Sequence, residues 1–119
     1  MEQDLVIFEM QAELCKVMGH AVRLRIVHIL KDGPKCVTDL VNALVNVAQP
    51  TVSRHLSIFR SAGVLTTRRD GTEAIYEIAN PRIIGVCETM RTILAERESQ
   101  YNDLFDRIRN EKDQFNESN

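Results

Sequence analysis

Residues 49–78, QPTVSRHLSIFRSAGVLTTRRDGTEAIYEI, leave the chain few folds to choose from. Thr51 to Ala62 reads as an amphipathic helix. Val52, Leu56 and Phe59 share one face, with Ile58 beside them. Ser53, Arg54, His55, Ser57 and Arg60 occupy the other, so that face is hydrogen-bonding and cationic. Two strands follow at once, Val64 to Arg68 and Glu73 to Ala79. Asp70-Gly71 lies between them, and Asp-Gly between alternating segments signals a hairpin, because Gly takes positive φ cheaply. Arg68 and Arg69 put positive charge at the hairpin's tip.

The remaining sequence reads as helices around this unit. A first helix runs from about Leu5 to Met18. Its apolar residues, Val6, Ile7, Met10, Leu14, Val17 and Met18, are too many for one narrow stripe, and Gly19 breaks it. A second spans about Ala21 to Lys31, with Val22, Ile26, Ile29 and Leu30 inward, and Asp32-Gly33-Pro34 stops it. A short third, Val37 to Val45, turns Leu40, Val41 and Leu44 inward. Asn46 supplies a left-handed residue, and Pro50 suits the first turn of the fourth. After the hairpin, Asn80-Pro81 caps a long last helix with Ile83, Ile84, Val86, Cys87, Met90, Ile93 and Leu94 on its apolar surface. The same pattern continues more weakly through Tyr101, Leu104, Phe105 and Ile108. The expected class is mainly α with a β-hairpin wing (α+β): four helices, two strands and a fifth helix, forming a winged helix-turn-helix. One domain over residues 1–112 and a polar, frayed tail over 113–119 are expected.

The net charge of −2 fits a DNA partner only once it is divided along the chain. Residues 1–19 carry −3, residues 20–69 carry +6 and residues 70–119 carry −5. An electrostatic footprint needs local charge, and the positive segment is the one with the helix-turn-helix pattern. The sequence holds no membrane-length apolar run, and its acidic start is unlike a signal peptide. A soluble, cytoplasmic protein is expected. Three cysteines, an odd number, do not suggest a disulfide framework. The sequence offers no Gly-rich phosphate loop, no Ser/His/Asp grouping and no paired carboxylates in an apolar setting, so catalysis is not expected.

Four segments together resemble the ArsR/SmtB family of bacterial winged-helix repressors, over about residues 10 to 94. MGHAVRLRIVHIL (18–30) is similar to the family's second helix, and its Arg23-Leu24-Arg25-Ile26 matches the family's usual Arg-Leu-x-Ile core. VTDLVNAL (37–44) and QPTVSRHLSIFRSAGVL (49–65) look like the two helices of the reading unit, and RRDGTEAIYEI (68–78) like the wing. The resemblance implies a homodimer formed by the first and last helices, a palindromic operator, and repression relieved by a metal ion, metalloid or thiol oxidant. The residues independently support a partner: the first and last helices carry more apolar surface than one small domain buries. A two-fold dimer would present its recognition helices to successive major grooves about 34 Å apart.

Residues at the start of a recognition helix reach base edges, and flanking polar groups reach phosphates. Gln49, Ser53 and Arg54 are the candidates for the groove. Thr51 and His55 are candidates for phosphates or supporting bonds, although His55 could equally pack against the preceding helix. Arg68 and Arg69 are candidates for phosphates or the minor groove, though strand neighbours face opposite ways. A winged-helix module that binds proteins instead is the alternative, and the cationic wing and helix face argue against it.

The input is less legible. The family's metalloid motif is Cys-Val-Cys-Asp-Leu; here it reads Cys36-Val37-Thr38-Asp39-Leu40, so one thiol is missing, and soft ions want two or three. Cys36 stands at a helix start beside Lys35, a setting that favours a thiolate, or it merely replaces a Ser cap. Cys15 reads as a small buried hydrophobe or a further ligand, and Cys87 as dimer core or ligand. The last helix has no histidine, so the family's other metal site, an Asp-x-His with His-x-x-His across the dimer, is not expected. Two inputs remain open: a soft metalloid, metal or thiol-reactive species sensed through Cys36, not needed for folding, or a signal of another kind.

Overall fold

Glycines and Asx residues punctuate the first four helices and the hairpin where the sequence places them. The computed structural model describes residues 2–117. Helices α1 (Glu2–Met18) and α2 (Ala21–Leu30) come first, then strand β1 (Lys35–Cys36), α3 (Val37–Ala43) and α4 (Gln49–Ser61). Strands β2 (Leu65–Asp70) and β3 (Glu73–Ile78) follow, then α5 (Arg82–Glu96) and α6 (Glu98–Glu117). This is the expected winged helix-turn-helix with two additions. A two-residue strand precedes α3, and the last helix is divided at Arg97.

The three strands form one antiparallel sheet in the order β1-β3-β2. Asp70 pairs with Glu73, so the hairpin loop is Gly71-Thr72. Only the first of these residues has positive φ, with Gly71 at 64°, as a type II′ turn requires. The strands therefore extend further toward the tip than the Asp70-Gly71 pair suggested, and both Arg68 and Arg69 lie within the ladder.

Helix α4 ends in a Schellman motif. Gly63 (φ 77°) donates to the Arg60 carbonyl at 3.1 Å, and Val64 donates to the Phe59 carbonyl at 2.9 Å. Val64 and Phe59 are both buried, which supplies the apolar contact that accompanies this motif. Between α3 and α4 the chain turns at Asn46, whose φ is 69°. At the start of α5, Asn80 Oδ1 accepts from the Arg82 amide at 3.0 Å, the expected Asx cap.

The chain groups into two compact units, one up to Ile84 and one from Gly85 on. In the first, Ile26, Val27 and Leu30 of α2, Leu40 of α3 with Leu44 just beyond it, Val52, Leu56 and Phe59 of α4, and Val64 and Leu65 form the core. Helix α1 contributes no buried residue to it. Its Leu5, Val6, Ile7, Phe8 and Met10 are exposed. In the second unit, Val86, Met90, Ile93 and Leu94 of α5 and Leu104, Phe105 and Ile108 of α6 are exposed, while Cys87 is buried. Of the polar tail, residues 118 and 119 lie outside the described residues; the backbone is helical to Glu117. No helix among the described residues is long and apolar enough to cross a membrane.

Candidate nucleic-acid interface

The outward face of α4 follows from its inward one. Burying Val52, His55, Leu56 and Phe59 turns Gln49, Ser53, Arg54, Ser57 and Arg60 to the surface, where all five are exposed. Thr51 is half-buried beside them. Ala48 holds the N-cap in an extended conformation and makes no side-chain cap, and Pro50 stands in the first turn. Pro50 has no N–H, and the Thr51 and Val52 amides both donate to the Ala48 carbonyl, at 3.0 and 3.1 Å, so the helix start offers chiefly its dipole to whatever lies ahead of it.

The wing carries its own cations. Arg68 pairs with Ile75 and Arg69 with Ala74 across the hairpin, and both arginines are exposed. Strand alternation sends them to opposite faces. The Arg69 Nη1 also lies 3.4 Å from the Thr72 carbonyl, which draws that side chain toward the turn.

His55 departs from the expected polar face. Its side chain is only 2% exposed, so a phosphate contact is not open to it. Its Nδ1 instead accepts from Nε of Arg23 at 3.0 Å, and its ring lies 4.5 Å from that of His20. Burial, then the neighbouring His20, Arg23 and Arg54, hold its pKa below the ordinary value of 6.5. The helical phase of Val52, Leu56 and Phe59 already contains position 55; the residue's polarity obscured that. Arg23, which holds it, belongs to the second-helix signature, and nothing in the local sequence signals its contact with a residue 32 positions later.

The three cysteines occupy different settings. Cys36 is the last residue of β1, pairs with Ile75, and is the N-cap of α3 without a side-chain capping bond. It is buried, 8% exposed, and lines a hollow of about 200 Å³ with Val37, Thr38, Thr72, Glu73 and Ala74. Cys15 is exposed, not the buried hydrophobe expected, because α1 buries nothing in this chain. Cys87 is buried in α5; burial pushes its thiol pKa up and Arg91 offsets part of that. Among the described residues no three or more His, Cys, Asp or Glu side chains are grouped so as to hold a metal ion. Within the described residues, then, Cys36 does not belong to a set of three or more such ligands.

Comparison with known proteins places the same segment at the centre. The family described as "Bacterial regulatory protein, arsR family" matches residues 20–67. The chain is 34% identical over 89 residues to the uncharacterized HTH-type transcriptional regulator Rv0081 of Mycobacterium tuberculosis (strain ATCC 25618 / H37Rv), covering 75% of this chain and 78% of that protein. The crystal structure of that regulator superposes with a TM-score of 0.71, over 79% of this chain and 94% of that one. The transcriptional repressor PagR of Bacillus anthracis is 40% identical over 86 residues, covering 71% of this chain and 85% of PagR. Its crystal structure gives a TM-score of 0.63 over 72% and 98% of the two chains. A homodimeric winged helix-turn-helix DNA-binding domain from Mycobacterium bovis, 23% identical, shares the fold with a TM-score of 0.71 over 81% of this chain and 88% of that domain.

Proposed function

The chain belongs to the arsR family of bacterial regulatory proteins, and on that premise we propose how this DNA-binding transcriptional repressor reads its operator and receives its signal. It acts as a homodimer on a palindromic site. Each α4 enters a major groove, with Gln49, Ser53 and Arg54 at base edges and Thr51 at a phosphate. Arg68 and Arg69 contact the backbone or minor groove from the wing. The observation that carries this reading is the outward face of α4, where Gln49, Ser53 and Arg54 are exposed and Thr51 half-buried beside a buried apolar face. Repression follows from occupancy: a dimer on a promoter excludes polymerase.

Cys36 receives the signal. It is the thiol that belongs to the reading unit itself, since it begins α3 and ends the strand paired to the wing. With no group of three or more ligands around it among the described residues, a thiol-directed oxidant or soft electrophile suits it better than an ion chelated by three of this chain's own side chains. Inducer and operator then oppose each other by the same factor in both directions.

The test is operator affinity for the promoter of the protein's own gene, titrated with arsenite, cadmium, zinc, a persulfide and a peroxide, on wild type and Cys36→Ser. Release by one agent, lost in the variant, supports Cys36 as the input. Binding that no agent moves, or release that survives the substitution, rejects it while leaving DNA recognition standing. A log–log salt plot measures that recognition separately, since the slope is about −0.9 per phosphate neutralised.

A further inference from the structure

Helix α4 is held from behind by one guanidinium. Arg23 of α2 donates Nε to His55 Nδ1 at 3.0 Å and Nη1 to the Val17 carbonyl at 3.1 Å. Val17 lies in the last turn of α1, and His55 lies on the buried face of α4. His20, the N-cap of α2, packs its ring against His55 while its own Nδ1 accepts from the Val22 amide at 3.2 Å. The end of α1, the start of α2 and the second turn of α4 thus meet at one planar cation.

The chemistry of this joint is restrictive. An arginine fork donates in two fixed directions; a lysine ammonium on the same stem is a point charge and does not reproduce both bonds. The acceptor must also be neutral, because a protonated imidazole has no lone pair at Nδ1. Protonating His55 would set a cation against Arg23, His20 and Arg54, the charged and titratable groups that the structure places around it.

We propose that Arg23 is a positioning residue for operator recognition: by bridging the Val17 carbonyl and His55 Nδ1 it fixes the pose of α4 against α1. Movement of α1 is thereby passed to the helix that meets DNA. This rests on the reading of α4 as the recognition helix.

The experiment measures operator affinity and thermal unfolding of the full chain for wild type, Arg23→Lys, His55→Asn and Arg54→Ala. Asn places an oxygen close to where Nδ1 stands and does not titrate. Arg23→Lys is expected to stay folded yet bind operator about tenfold more weakly, the scale of one lost charge-assisted hydrogen bond. His55→Asn should bind close to wild type near neutral pH. Protonation of His55, which begins only as pH falls below its ordinary 6.5, removes the acceptor and weakens binding. The wild type should therefore lose affinity relative to His55→Asn as pH is lowered from 6.5 through the folded pKa. Wild-type affinity in Arg23→Lys, or identical pH profiles for wild type and His55→Asn, overturns the positioning role. If Arg23→Lys does not fold, the pH comparison decides alone. Arg54→Ala separates the two ideas: no loss there overturns α4 as the reading helix, whereas loss there with an unaffected Arg23→Lys overturns only the joint.

Discussion

Helices α1 and α4 are both rich in apolar residues, yet they end up in opposite circumstances. The 13 residues of α4 bury four side chains, Val52, His55, Leu56 and Phe59. The 17 residues of α1 bury none, although five large apolar residues lie between Leu5 and Met10. Apolar content alone does not bring a helix into a core. What differs is phase: α4 concentrates its apolar residues on one side, whereas α1 spreads them round its circumference. In the proposed dimer this exposed apolar surface of α1 is what the partner would cover.

The comparison can be broken from either side. Phe8→Asp removes one exposed aromatic from α1. If α1 lies in the dimer interface, each protomer loses roughly 1.5–3 kcal/mol of burial, and self-association weakens at least about a hundredfold by sedimentation. A variant that associates like wild type would place the interface elsewhere. Phe59→Ala acts on α4 and should lower unfolding stability by about 3–5 kcal/mol in urea, because a fully buried ring leaves a cavity. Exposed Phe8, changed to Ala, should leave the fold of each protomer intact in the same assay.

Acid sharpens the contrast further, because the titrating group sits on the buried side of α4 and not on α1. The folded pKa of His55 lies below its ordinary 6.5, so the unfolded chain binds the proton more readily between the two values. Its contribution to stability is complete above pH 6.5 and is lost as pH falls through the folded value. Urea midpoints should drop over that window in wild type and drop less in His55→Asn. Last and smallest, Cys15→Ser on exposed α1 should change stability by less than about 0.5 kcal/mol. A larger loss would mean that the partner covers that thiol.

Local signals carried most of the fold. Asn46 at positive φ, Pro50 in a first turn, the Gly63 cap and the Asn80 cap are each determined by a few neighbouring residues, and each stands where the sequence puts it. What escaped depends on contacts distant in sequence. Strand β1 has only two residues, and nothing in Lys35-Cys36 announces pairing with Tyr76 and Ile75. The break at Arg97 lacks a Gly or Pro to mark it. Polarity alone points His55 to solvent, whereas its place is set by Arg23, 32 positions earlier. The outward residues of the candidate interface were legible because exposure follows from helical phase, while partnership inside the core does not.

The double membership of Cys36 has a mechanical consequence. The same backbone that starts α3 also closes the ladder to Ile75. A group added to that thiol meets the hollow of about 200 Å³ that Cys36 shares with Val37 and Thr38 of α3 and with Thr72, Glu73 and Ala74 of the wing. A modification that outgrows the hollow would press on the start of α3 and on the hairpin turn together, so one small group would reach both elements of the proposed DNA interface.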